Sequence, residues 1–222
     1  MKKTLFFLLL AFVAFNAKAQ DKFVPETFLG LKGGVTYSGF GFDPSIDQEM
    51  LLGYTGGLVL KHLSQSKLGV QVEANLVQRG WTEVVAPDTS YTRRLTFVEL
   101  PFMTHLSFGA RNSRFIVNLG PTASFLIKDE VSSDVADPNG ELEGDEVKMY
   151  RYRDIDNEFI YGLCLGIGFE QRTAIGTFQL EGRFTHSLND IFSRDLYNRI
   201  SKSQSLSLTM SYLLSLRSRK AE

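Results

Sequence analysis

Phe159-Ile160-Tyr161-Gly162-Leu163-Cys164-Leu165-Gly166-Ile167-Gly168-Phe169-Glu170 places Phe159, Tyr161, Leu163, Leu165, Ile167 and Phe169 on one parity. Gly162, Cys164, Gly166, Gly168 and Glu170 fall on the other. Successive side chains of a strand point to opposite faces, so a period of two over this length predicts a β-strand with one bulky apolar face. The opposite face is almost without side chains. That contrast in volume bears on how a sheet of such strands closes.

The same alternation recurs on both sides of this stretch. Leu68, Val70, Val72, Ala74 and Leu76 interleave with Gln71, Glu73, Asn75 and Arg79. Phe178, Leu180 and Phe184 face away from Thr177, Gln179, Glu181, Arg183 and Thr185. Leu206, Leu208, Met210, Tyr212 and Leu214 alternate with Ser205, Ser207, Thr209 and Ser211. Four further segments follow the rule less cleanly: Phe28 to Tyr37, Leu52 to Leu60, Tyr91 to Phe108 and Phe115 to Ile127. In the third, Pro101 predicts a local break or bulge, because proline donates no ladder hydrogen bond. The total is eight strands, with no comparable 3.6-residue pattern after the first twenty residues. Short links (His62 to Lys67, Gly109 to Ser113, Gln171 to Ala174) alternate with long polar ones (Ser38 to Met50, Glu83 to Ser90, Asp129 to Asn157, Leu188 to Lys202). An outer-membrane barrel has short periplasmic turns and longer external loops.

The N-terminus supplies the compartment. Lys2 and Lys3, the apolar run Leu5 to Phe15, and Ala17-Lys18-Ala19 form the three parts of a secretory signal peptide. The run is too short for the roughly 20 residues of a transmembrane helix. Residues 1–19 are therefore expected to be a signal peptide, and residues 20–222 an outer-membrane β-barrel domain beginning at Gln20. The mature chain carries 21 Lys and Arg against 25 Asp and Glu, a charge of −4. With no Lys/Arg cluster, nucleic acid is not an expected partner. Cys164 is the only cysteine, so no internal disulfide forms, and a small packed residue is the reading at that position.

Alternation does not say which face points out. An eight-stranded barrel is only just wide enough for its side chains to fill. Leu, Phe, Tyr, Val and Ile occupy one parity; Gly, Ser, Thr, Asn and a few charges occupy the other. Large residues outside and small polar ones inside is the arrangement that packs. The expected fold is therefore all-β, an eight-stranded antiparallel up-and-down transmembrane β-barrel with the lipid bilayer as its main partner. Lys32, Glu73, Arg79, Glu99, Glu181 and Arg183 all lie on the polar parity. Inside they can pair, as Glu73–Arg183 or Glu181–Arg79, whereas a basic residue facing lipid costs about 2–4 kcal/mol at mid-depth.

The stretch Phe28-Leu29-Gly30-Leu31-Lys32-Gly33-Gly34-Val35-Thr36-Tyr37-Ser38 resembles the opening strand of PorT-like outer-membrane β-barrel proteins of the Bacteroidetes type. Val70 to Gly80, Val98 to Phe102, Asn118 to Pro121, Gly162 to Gly168 and Glu181 to Ile191 match in the same order, so the resemblance spans nearly all of the mature chain. It implies fold and place: a barrel of the outer membrane, associated through the family's namesake with protein secretion and hence with other envelope proteins. It implies no catalytic motif.

Candidate sites have bland readings. His186-Ser187 resembles the His and Ser of outer-membrane lipid A deacylases, but neighbours in a strand diverge, and a nucleophile needs its base within hydrogen-bond reach. His62 and His105 are strand-end or lumen residues. The segment Lys128 to Glu158 holds eleven acidic residues against four basic ones. Asp137-Pro138-Asn139-Gly140-Glu141 and Asp154-Ile155-Asp156 offer oxygen ligands of the kind calcium takes, but in no EF-hand spacing. Asp129 to Asn157 is expected to be a solvated external loop, poorly packed, which can be shortened without unfolding the barrel. Trp81, Tyr37, Tyr54 and Tyr91 are expected in an interfacial aromatic girdle. No catalytic residue, cofactor, metal or small-molecule substrate is identified. The leading function is a non-enzymatic barrel acting through its external loops or within an envelope or secretion complex. The alternative is a soluble envelope barrel binding an apolar ligand.

Overall fold

The computed structural model describes residues 23–43, 45–86, 89–110, 112–133, 153–193 and 200–216. Eight strands run in chain order: β1 (Glu26–Asp43), β2 (Gln48–Leu63), β3 (Leu68–Ala86), β4 (Thr89–Ala110), β5 (Ser113–Ser133), β6 (Phe159–Thr173), β7 (Gly176–Ser187) and β8 (Ile200–Ser215). Each pairs antiparallel with its neighbour, and β8 returns to β1 from Phe28↔Ser215 to Asp43↔Ile200. Closure removes every sheet edge, as a membrane-spanning sheet requires, because lipid offers no partner to an open backbone group.

The parity argument fixes the faces. Leu29, Leu31, Leu58, Leu60, Leu119, Leu163, Leu165, Leu206 and Leu208 are exposed on the outside. Lys32, Glu73, Arg79, Glu99, Glu181 and Arg183 are all buried inside. The alternative of a barrel holding an apolar ligand is thereby corrected: the apolar rows face out, and charge pairs fill the middle of the lumen.

The expectation at Pro101 is met as a break, and two others change in detail. Pro101 interrupts the β3–β4 pairing opposite Glu73, yet Val72↔Phe102 and Asn75↔Glu99 keep one register, so it makes a break and not a bulge. The true irregularities lie elsewhere: between Met50 and Thr55, Val84 and Ala86, and Thr96 and Phe97. The links Ser38 to Met50 and Glu83 to Ser90 are largely strand. β1 continues to Asp43 and β3 to Ala86, and the β3–β4 hairpin pairs as far as Ala86↔Thr89. A bilayer needs about 9–11 residues per tilted strand, so β3, β4 and β5, with 19, 22 and 21 residues, project beyond it. Polar residues in water still complete a ladder, which is why composition alone marked them as links. Finally, Asp129 to Ser133 belong to β5, and Arg153 to Asn157 pack on the barrel, so only part of that segment fits a free loop. Residues 134–152, with Asp137 to Glu141, lie outside the described residues, as do residues 1–22, which include the expected signal peptide and Gln20.

Candidate functional site

The lumen is stacked in layers along the barrel axis. At the end with the short turns, Phe28, Val59, Leu63 and Leu213 form a small apolar cluster with Phe23 packed against it. Beside it Lys61 pairs with Glu170, and Arg172 bridges Glu170 (3.2 Å) and Glu26 (2.8 Å).

The middle layer crosses the lumen. Glu73 on β3 accepts from Arg183 on β7 through two nitrogens, at 2.7 and 2.8 Å, and from Lys32 on β1 at 2.9 Å. Gln71 and Asn75 also donate to it, at 2.7 and 2.8 Å. Arg183 further binds Glu181 at 2.7 Å, and Asn118 and Gln179 complete that carboxylate at 2.9 and 3.0 Å. Asn118 also meets Nδ1 of buried His105 at 2.7 Å. Burying a charge costs several kcal/mol unless it is paired and fully hydrogen-bonded, and these carboxylates are saturated by donors. Of the two expected pairings, Glu73–Arg183 forms; Glu181–Arg79 does not, because Arg79 reaches Glu99, which also accepts from Ser124 at 3.3 Å. A cavity beside Lys32, Asn75, Arg79, Glu99, Arg183 and Thr209 holds about 10 Å³, room for one water.

The end bearing the long links is closed by aromatics. Trp81 and Tyr91 are 0% exposed, which corrects their expected place in an outer girdle. Both share the parity of the inward charges: Trp81 that of Arg79, Tyr91 that of Glu99. Trp81 meets Phe40 and Phe42 edge-on, with centroids 5.0 and 5.2 Å apart. Tyr37 and Tyr54 do face outward. Ile191 and Phe192, from the segment after β7, drop into the same cluster and are fully buried. Arg93 lies between the rings of Trp81 and Phe192, 5.9 and 5.8 Å from their centroids, and forks onto Asp129 at 3.0 and 2.5 Å.

The Ile191–Phe192 plug is tied down by polar bonds. Asn157 donates its backbone N–H to the Ile191 carbonyl at 3.0 Å, and Phe192 donates to Ser201 Oγ at 3.1 Å. Asp156 accepts from the Ser193 backbone N–H at 2.8 Å and from Arg153 at 3.0 Å. The Ser193 N–H, with Arg153 beside it, holds the Asp156 carboxyl below its usual range. Sequence reasoning passed over Ile191 and Phe192 because nothing periodic marks a plug.

The other candidates are apart. His186 stands on the outer face parallel to the Phe184 ring, whereas Ser187 is buried inside and accepts from the Ser203 N–H at 2.7 Å. His62 meets Thr27 at 2.9 Å at a strand end. Cys164 is a buried free thiol facing the lumen. Among the described residues no three His, Cys, Asp or Glu side chains gather as a metal site.

The profile of the family described as outer membrane protein beta-barrel domain matches residues 19–193. No curated protein matches the sequence. The crystal structure of the outer membrane protein OprG from Pseudomonas aeruginosa is similar with a TM-score of 0.52, at 11% identity over 85% of this chain and 96% of that one. Neisserial surface protein A gives 0.42 at 9% identity over 84% and 96%. Ail of Yersinia pestis gives 0.42 at 12% over 85% and 99%. At such identities OprG supports the fold alone. The profile covers most of the chain, and with the closed eight-stranded ring it gives the family: this chain belongs to the outer membrane protein β-barrel domain family and is a small β-barrel of the outer membrane.

Proposed function

We propose that the protein is a closed, non-enzymatic scaffold of the outer membrane that acts through its projecting external rim, as one component of an envelope complex of the PorT-like kind. The observation that carries this is the cross-lumen network Lys32–Glu73–Arg183–Glu181, which occupies the space an ion or solute would need. A cavity of about 10 Å³ beside it passes no hydrated ion. Every charge in this layer has a partner of opposite sign, so the layer offers a packed core and no selectivity ring. The rim has what the lumen lacks: long strands β3 to β5 and the acidic segment from Lys128 to Glu158. The PorT-like resemblance of six ordered stretches supports membership in a complex. In this reading the mature chain begins at Gln20, which N-terminal mass analysis checks.

The test is planar-bilayer recording on purified protein, combined with replacement of the external segment. Wild type is expected to give no ion-conducting steps. Replacement of the segment is expected to reproduce the cellular phenotype of gene deletion without removing the barrel from the outer membrane. Steady ohmic steps from wild type would overturn the closed-lumen reading.

A further inference from the structure

The lipid-facing wall of β3 and β4 changes character partway along its length. Outward residues pair across the two strands as Leu68↔Leu106, Val70↔Thr104, Val72↔Phe102 and Leu76↔Val98, all apolar but Thr104. Beyond them come Gln78↔Thr96, Gly80↔Arg94 and Thr82↔Thr92, where no apolar side chain remains. The switch falls where the membrane ends. Leu68 to Leu76 on β3 and Val98 to Phe108 on β4 match the roughly 9–11 residues of a tilted transmembrane strand. The Gly80↔Arg94 row stands farther out by roughly 10 Å, at about 3.3 Å per residue and a tilt of about 40°. It lies toward the long links, which face away from the cell, and hence at the headgroups of the outer leaflet.

Arg94 is the unusual member of this row. Its sequence neighbours Arg93 and Leu95 are buried inside the barrel, so its own side chain emerges on the lipid side, where it is half-buried. Arg93 has Asp129 as its counter-ion, whereas Arg94 has no carboxylate among the described residues. Its one side-chain hydrogen bond is long, from Nη1 to Gln78 Oε1 at 3.4 Å. That oxygen also accepts from the Tyr54 N–H at 3.3 Å. The Nε and Nη2 of Arg94 have no protein partner among the described residues and are not closed off from the surroundings. Opposite Arg94 on β5 stands Glu130, but Lys128 takes that carboxylate at 2.8 Å. Opposite it on β3 stands Gly80, where a Cβ would collide with the Arg93 carbonyl, so no side chain screens the guanidinium from that side. Arg94, Lys128 and Glu130 together leave one positive charge in excess, with an open guanidinium fork and the Thr96 hydroxyl beside it.

We propose that Arg94 binds the phosphate of an outer-leaflet lipid headgroup against the outer wall of β3 and β4, with Thr96 donating to a further headgroup oxygen. The place selects the occupant. A side chain on the lipid side of the barrel at this height meets headgroups, and the outer leaflet of an outer membrane is built from phosphorylated glycolipid. Guanidinium N–H groups match phosphate oxygens in pairs. The stem of a long basic side chain lies along an apolar wall while its charged head reaches the interface. The acyl chains of the same lipid then run down the rows from Leu76 and Val98. This inference is independent of whether the external rim acts in a complex.

The experiment is native mass spectrometry of the purified full chain, released from detergent micelles after incubation with lipid A as the probe. Wild type is expected to retain one lipid A. Arg94→Gln is expected to lower its occupancy roughly tenfold, the loss of a charge-assisted bond. Lys67→Gln, an exposed basic residue in the turn at the other end of β3, should stay within about twofold, as an unpaired surface charge. Dephosphorylated lipid A should bind wild type no better than lipid A binds Arg94→Gln, an arm that stands whether or not the variant assembles. Millimolar inorganic phosphate should leave bound lipid A in place, because it offers nothing to the apolar wall. Equal binding of the dephosphorylated lipid, or undiminished binding by an Arg94→Gln protein that shows the heat-modifiable migration of a folded barrel, overturns the proposal. So does displacement by inorganic phosphate, which makes the site one for free anions.

Discussion

Trp81 is the only tryptophan, so its fluorescence reports one position without ambiguity. A girdle tryptophan sits among headgroups and is quenched by brominated lipid. Trp81 instead packs on Phe40 and Phe42 inside the barrel. Its emission in liposomes is expected to be blue-shifted and insensitive to both brominated acyl chains and aqueous acrylamide. Strong quenching by brominated lipid would return Trp81 to the girdle. A second residue-scale prediction concerns Glu73, which holds both Lys32 and Arg183. Glu73→Gln leaves those cations short of a counter-charge, and breaking a buried pair from one side costs about 3–5 kcal/mol. Lys32→Gln in the same chain restores neutrality around Arg183, which keeps Glu181. Urea unfolding of the folded barrel is expected to show a large fall for Glu73→Gln and a smaller one for the double variant. Equal falls would mean that lost packing, not charge, dominates.

At the scale of elements, parity read the strands well and their ends badly. Glu73, Glu99, Glu181 and Arg183 were legible because each interrupts a polar row flanked by large apolar residues. Lys61 follows the same rule, one residue past Leu60, where the visible alternation stops. Trp81 and Tyr91 obey it too, but aromatic residues near strand ends suggest a lipid interface more readily than a plug. Partner choice was beyond reach: whether Arg79 meets Glu181 or Glu99 depends on shear and register, which no single strand encodes. The plug around Ile191 and Phe192 depends on contacts between two irregular segments. Asp156 joins those segments, and its carboxyl titrates below the ordinary range because the Ser193 N–H and Arg153 favour the charged form. A depressed folded-state pKa adds stability that is present above the unfolded value of about 3.9 and is lost as pH falls through the folded value. Hydrogen exchange at Ser193 is therefore expected to be slow at neutral pH and to lose protection in the acid range relative to the β1–β8 ladder. Asp156→Asn should have weaker protection at neutral pH and little further acid dependence. Protection at Ser193 that tracks the ladder at every pH would show that Asp156 does not hold the plug.

For the whole molecule, the question is how much of the chain the barrel needs. Each strand pairs with both neighbours; the apolar rows face lipid, and ion pairs and hydroxyls hold the polar rows. Among the described residues, none of those strand pairings draws on the sequence between Ser133 and Arg153. The described residues beyond it do matter, since Arg153 offers its carbonyl to Arg93 at 2.6 Å and lies over Phe192 at 5.3 Å. Shortening should therefore stop before residue 153 and begin after β5, sparing Asp129, the partner of Arg93. Replacing residues 134–148 with a short Gly/Ser linker changes closure entropy only slowly, by roughly 0.6 kcal/mol per halving of length. It also removes six acidic residues and one lysine, which lessens repulsion at the acidic end. The shortened protein is expected to reach the outer membrane, to show heat-modifiable migration on gels, and to unfold in urea within about 1 kcal/mol of wild type, as for surface changes that break no named contact. Extending the cut through Arg153 to Asn157 should cost more, because it strips Arg93 of an acceptor and frees the Ile191–Phe192 plug. If the shorter cut alone prevents assembly, residues 134–148 are part of the fold, and the barrel needs a contact beyond those between its strands.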